Sequence, residues 1–146
     1  MRTVSILFVA ILLTSGFARG NDIDIGAVDR KPPSKKEVEA FKGDDKSAVV
    51  GLNETIKGKV AKDEKKHVYI IVNPLTLPHS WWVQQDVMRD GDSFTADAQF
   101  GEDDAGKDEF FAILAIVTDK KWSVGEKLEA LPDDATYSKV KIVKRK

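Results

Sequence analysis

The clearest hydrophobic pattern runs over residues 67–100, HVYIIVNPLTLPHSWWVQQDVMRDGDSFTADAQF. Val68, Ile70 and Val72 fall on one side of an extended segment, Tyr69 and Ile71 on the other. Apolar residues on both sides mark a central strand. Pro74 and Pro78 turn residues 73–80 into a loop. Residues 81–87 predict the next strand, with Trp81, Val83, Gln85 and Val87 on one face and Trp82, Gln84 and Asp86 on the other. Two adjacent tryptophans cannot both enter a core from one regular strand, so one of them belongs at or near the surface. Asp90-Gly91 is a hairpin signal. Residues 93–100 then return with Phe94, Ala96, Ala98 and Phe100 inward and Thr95, Asp97 and Gln99 outward.

The flanking runs fit around this unit. Residues 48–52 are apolar, and residues 55–60 alternate, with Ile56 and Val60 opposite Lys57 and Lys59. Gly58 lies on the inward side, where it permits close packing or a bulge. The charged residues 62–66 suit a surface turn. Residues 110–117, FFAILAIV, read as a buried strand, with a short core helix as the alternative. Residues 119–134 read as a loop with one helical turn, its Trp122, Val124, Leu128 and Leu131 covering one end of the fold. Residues 138–143 read as a last, edge strand, with Val140 and Ile142 inward and lysines outward to resist self-pairing. Before all of these, Ser34 and Glu37 fit a capping box, placing Val38 and Phe41 on one face of a short helix. About seven short strands separated by turns predict an all-β, immunoglobulin-like antiparallel β-sandwich, with a small OB-type barrel as the rival.

The first residues fall outside this pattern. Met1-Arg2, the apolar run over residues 4–13 and the small pair Ala18 and Gly20 come in the order of a signal peptide, with cleavage expected after Gly20. A buried N-terminal strand or an uncleaved anchor is the alternative. The expected organisation is a signal peptide over residues 1–20, a polar linker with a possible short helix over 21–47, and a β-sandwich domain over 48–146. The protein is then secreted or periplasmic, with no transmembrane segment after cleavage. Without Arg2 and Arg19 the chain keeps 21 basic and 24 acidic residues, a net charge of −3 that argues against nucleic acid as a partner. With no cysteine, an exported fold must be held by its apolar core alone.

Three constellations carry candidate chemistry. The tryptophans come first: Trp82 beside Gln84 and Asp86 forms an aromatic platform with two polar partners, which Trp122 and His79 could join from loops. Such a face suits stacking on sugar rings or a protein contact; the plainer reading plugs the core with Trp81 and Trp122. Second, Glu102, Asp103, Asp104 and Asp108 offer hard oxygen ligands for Ca²⁺ but lack EF-hand spacing, so a solvated acidic loop is favoured and no cofactor is expected. Asp90 and Asp92 cannot join them, because residues 93–100 hold the two loops roughly 25 Å apart. Third, Ser80, His79 and Asp86 assemble a triad only on paper, with no nucleophile-elbow signature. His67 and His79 read as surface or strand-end residues.

Ile56-Lys57-Gly58-Lys59-Val60, Val68-Tyr69-Ile70-Ile71-Val72, Trp82-Val83-Gln84, Asp92-Ser93-Phe94, Phe100-Gly101, residues 110–117 and Leu131-Pro132 follow one another in a recognisable order. Over residues 55–143 this order resembles a small extracytoplasmic immunoglobulin-like or fibronectin-like β-sandwich module of bacterial exported and membrane-anchored proteins. The resemblance implies a fold and a location, and no assigned activity. The sequence therefore leads to a non-enzymatic binding or structural protein at the cell envelope, meeting an envelope protein or a polysaccharide. A carbohydrate-binding module using Trp82 and Trp122 is the alternative, and a metal-dependent hydrolase a distant third.

Overall fold

The computed structural model describes residues 22–146, so the signal-peptide expectation lies outside the described residues. Two sheets face each other in a β-sandwich, with no closed barrel. The strands are β1 (Ile23–Ala27), β2 (Ala48–Val50), β3 (Asn53–Lys59), β4 (His67–Pro74), β5 (Trp81–Val83), β6 (Met88–Asp90), β7 (Ser93–Gln99), β8 (Phe110–Thr118), β9 (Lys127–Leu128), β10 (Thr136–Tyr137) and β11 (Lys141–Arg145). One short helix, α1 (Lys35–Glu39), stands among them. The small sheet runs β1-β3-β7-β6, and the large one β2-β11-β8-β4-β5-β9, with β10 also pairing β8.

Between the sheets lies the main core, filled by alternate residues of β3, β4, β7 and β8 such as Ile56, Ile70, Phe94 and Ile113, with Phe100 just after β7. Gly58 pairs with Phe94 across β3 and β7, and the ring lies over it. A Cβ on Gly58 would stand 2.5 Å from Phe94 Cζ and 2.8 Å from Gly26 O, so the close packing expected there is present. A second cluster covers the outer face of the large sheet: Ile71, Trp81, Leu114, Ile116 and Tyr137 beneath Val38, with Phe41, Trp122 and Leu131 packed on it. This explains why β4 and β8 are apolar on both faces. They lie between two buried layers.

Several expectations are corrected. The chain forms eleven strands, not seven, among the described residues. The sandwich is not purely antiparallel, because β1 pairs parallel with β3 and β2 parallel with β11. The polar linker over 21–47 is partly built into the fold: Ile23 and Ile25 are buried by β1, and α1 docks Val38 on the outer cluster. Its capping box is formed, Glu37 N–H donating to Ser34 Oγ at 3.1 Å and Ser34 N–H to Glu37 Oε1 at 2.8 Å. Residues 119–134 hold the two-residue strand β9 instead of a helical turn, and they cover the large sheet's outer face instead of an end.

The last strand is not an edge. β11 lies between β8 and β2, with Val143 and Arg145 buried and Val140 and Ile142 packed on the outer cluster. It also starts later than expected, at Lys141, because Ser138 interrupts the line that β10 and β11 make along β8. There Ser138 Oγ accepts from Ala115 N–H at 2.9 Å, and Ser138 N–H donates to Ala115 O at 2.9 Å. A side-chain oxygen thus stands in for the missing ladder acceptor.

Candidate functional site

β5 is a three-residue strand held on one side by β4 and on the other by β9. Its alternation sends Trp81 and Val83 into the outer cluster, and Trp81 is only 1% exposed. Trp82 must then face the opposite way, toward the space between the sheets, and it is 40% exposed. Lys127, across the β5–β9 pair, sets its Nζ 5.8 Å from the centre of the Trp82 indole. After Val83 the strand ends, instead of running on to Val87, and the chain crosses to β6 in the other sheet.

A groove of about 670 Å³ opens where this crossing leaves the sandwich side uncovered. Val72, Ala98 and Phe111 form its buried floor, and Trp82, Leu77 and Val124 stand exposed at its mouth. Asn53, Gln84, Gln85, Asp97, Gln99, Glu102 and Glu109 supply the polar lining, and none of the lining residues is basic. Gln84 is fixed at both ends: Nε2 donates to Trp82 O at 2.9 Å, and Oε1 accepts from Gln99 N–H at 2.7 Å. It therefore ties the open edge of β7 to the strand that carries the tryptophan.

The residues singled out in the sequence do not all gather here. Trp82 and Gln84 line the groove, while Asp86 is exposed outside the lining. Trp122 packs on the outer cluster, 5.0 Å between ring centres from Tyr69, whose Oη accepts from Trp122 N–H at 2.9 Å. Tyr69 and Trp81 mark the outer face of the sheet, so Trp82 and Trp122 lie on opposite faces and cannot form one platform. His79 is bound elsewhere, its Nε2 2.9 Å from Glu39 Oε2 at the end of α1. The Ser80–His79–Asp86 triad is thus not assembled.

The acidic loop, residues 101–108, is organised around a cation that the chain itself provides. Arg145 is 4% exposed, and its Nη1 donates to the carbonyls of Phe100 (3.0 Å), Glu102 (3.1 Å) and Ala105 (2.8 Å). Its Nη2 donates to Asp103 O. The main chain joins in, Asp108 N–H donating to Arg145 O at 2.7 Å and Arg145 N–H to Glu109 O at 3.0 Å. Gly101 makes the tight return at φ +81, where a Cβ would collide with Ala105 O. The carbonyls point inward to the guanidinium, and the side chains of Glu102, Asp103, Asp104 and Asp108 point to solvent as exposed groups. Among the described residues, no three His, Asp or Glu side chains converge as a metal site would require.

Sequence reasoning missed both Arg145 and the full extent of the groove. A signal for Arg145 existed: it lies two residues after Val143, on the same strand face. The groove's polar lining comes from β3, β7, the segment after β5 and residues 102–109, which no local pattern joins. A comparison with protein families, curated proteins and solved structures finds no match for this chain.

Proposed function

We propose that this protein is an exported, non-enzymatic binding module of the cell envelope, and that its ligand site is the groove beside Trp82. One observation carries the reading: a large aromatic, held rigidly between β4 and β9, stands 40% exposed at the mouth of a concave, partly apolar space. Rigid exposed aromatics anchor ligands and partners at little entropic cost. The fold does not need Trp82 there, because Trp81 supplies the buried packing of β5. The export part of the reading rests on the order of features over residues 1–20. The non-enzymatic part draws on a lining with no histidine, serine or lysine, in which Thr76, Asp97, Glu102 and Glu109 are the side chains with hydrolytic chemistry.

The test is retention of the protein on isolated envelope material, comparing wild type with Trp82→Ala and Trp122→Ala. The reading expects Trp82→Ala to lose retention and Trp122→Ala to keep it. Equal retention of wild type and Trp82→Ala would remove the groove from the account, and released sugar or peptide fragments would contradict the non-enzymatic part. A second reading seats a protein partner over the same mouth. It draws on Leu77 and Val124, which widen the exposed apolar rim beside Trp82.

A further inference from the structure

We infer that the groove takes a neutral glycan segment, with one sugar ring stacked on the Trp82 indole and its hydroxyls bonded to the amides and carboxylates around it. This inference rests on the groove being the ligand site.

Four features narrow the ligand. The volume of about 670 Å³ suits a short oligomer or small ligand more than a folded domain. The apolar floor and the indole match the C–H faces of a sugar ring, an arrangement that needs one fixed aromatic and no ligand charge. Asn53, Gln85, Glu102 and Glu109 are planar groups that accept or donate in pairs, as neighbouring hydroxyls require, while Asp97 Oδ1 already accepts from Thr55 Oγ1 at 3.1 Å. Finally, the carboxylates of Asp97, Glu102 and Glu109 outnumber the single ammonium of Lys127 beside the indole, so a uronate or phosphate would meet a net negative charge.

A peptide is disfavoured by the state of the β7 edge. An extended peptide would dock by adding main-chain bonds to that strand. Phe100 N–H is turned inward to Leu52 O at 2.8 Å, and Gln99 N–H, which faces the groove side, is already accepted by Gln84 Oε1. The strand end that a peptide would need is therefore strapped by a side chain of the protein itself.

The experiment is a titration of the full chain with cellotetraose, xylotetraose, tetra-N-acetylchitotetraose and, as the anionic control, tetragalacturonate, read by tryptophan emission and by amide and indole NMR shifts. A lysine-rich decapeptide is titrated in parallel. The inference expects saturable perturbation of Trp82 and Gln99 by at least one neutral tetrasaccharide and none by tetragalacturonate. It also expects a loss of affinity of roughly thirtyfold or more in Trp82→Ala, the scale of a buried aromatic anchor, with Trp122→Ala unchanged. Saturable binding of tetragalacturonate or of the peptide at Trp82, with no neutral sugar bound, would overturn the glycan class and leave the groove as the site. Absence of any perturbation at Trp82 by all five probes would overturn this inference, and if Trp82→Ala also keeps full envelope retention, the groove reading fails with it.

Discussion

The acidic loop and the Trp82 groove are adjacent, and both have the composition of binding sites. They differ in what fills them. In the loop, a buried guanidinium occupies the inward-facing carbonyls of residues 100–105, and the carboxylates are left in solvent. In the groove, the Gln84 side chain, accepting from the Gln99 main-chain N–H, ties the walls together, while Trp82 and a floor of Val72, Ala98 and Phe111 face open space. A cluster of ligand-like residues is a candidate site only where the chain does not supply the ligand itself.

The largest expected effect comes from emptying the filled loop. Arg145→Met removes the donor to the carbonyls of Phe100, Glu102, Asp103 and Ala105 and should cost about 3 kcal/mol in urea unfolding, with faster amide exchange over residues 101–108. Stability within about half a kcal/mol of wild type would break the contrast, because the loop would then not depend on its internal cation.

Next comes Gly101→Ala, expected to cost about 2 kcal/mol. It adds a Cβ at positive φ against Ala105 O, which is backbone and cannot move aside cheaply. The same measurement on Asp104→Asn should give less than about 0.5 kcal/mol, since that side chain is exposed. Added calcium should leave the melting temperature of wild type unchanged; a rise would mean that the exposed carboxylates converge after all.

Tyr137 gives a pH-dependent control away from both sites. Its hydroxyl donates to Pro132 O at 2.7 Å, and burial, with the carboxylates of Asp133 and Asp134 adding to it, raises the phenol's pKa well above its ordinary value. The folded state therefore prefers the neutral phenol. The stability this supplies is complete below the unfolded value of about 10 and is lost as pH rises beyond it. Tyr137→Phe should flatten the alkaline limb of the stability curve and leave the acidic limb unchanged, and an unaltered alkaline limb would remove this cause.

Much of the fold was legible from alternation. β4, β7 and β8 carry enough apolar residues in period two to be placed, and the parity of Trp81 and Trp82 required that one of them leave the core. β1 was hidden because Ile23 and Ile25 are its only large apolar residues, inside a polar stretch. The parallel pairings of β1 and β2 are choices of tertiary partner, which no local pattern records. Arg145 was hidden for a different reason: a basic run reads as solvated, and only its parity with Val143 says otherwise. In the site, the aromatic platform was half legible. Trp82 and Gln84 do meet, but Trp122 and His79 belong to the outer layer and to α1, because the sheet stands between them and the groove.

The most direct test of the open groove is acrylamide quenching of tryptophan fluorescence in wild type and Trp82→Phe. The account predicts a red-shifted, readily quenched component in wild type that the substitution removes, with stability changed by less than about 1 kcal/mol. Emission that is blue and protected throughout, and unaltered by the substitution, would mean that Trp82 is packed away and that the groove is closed.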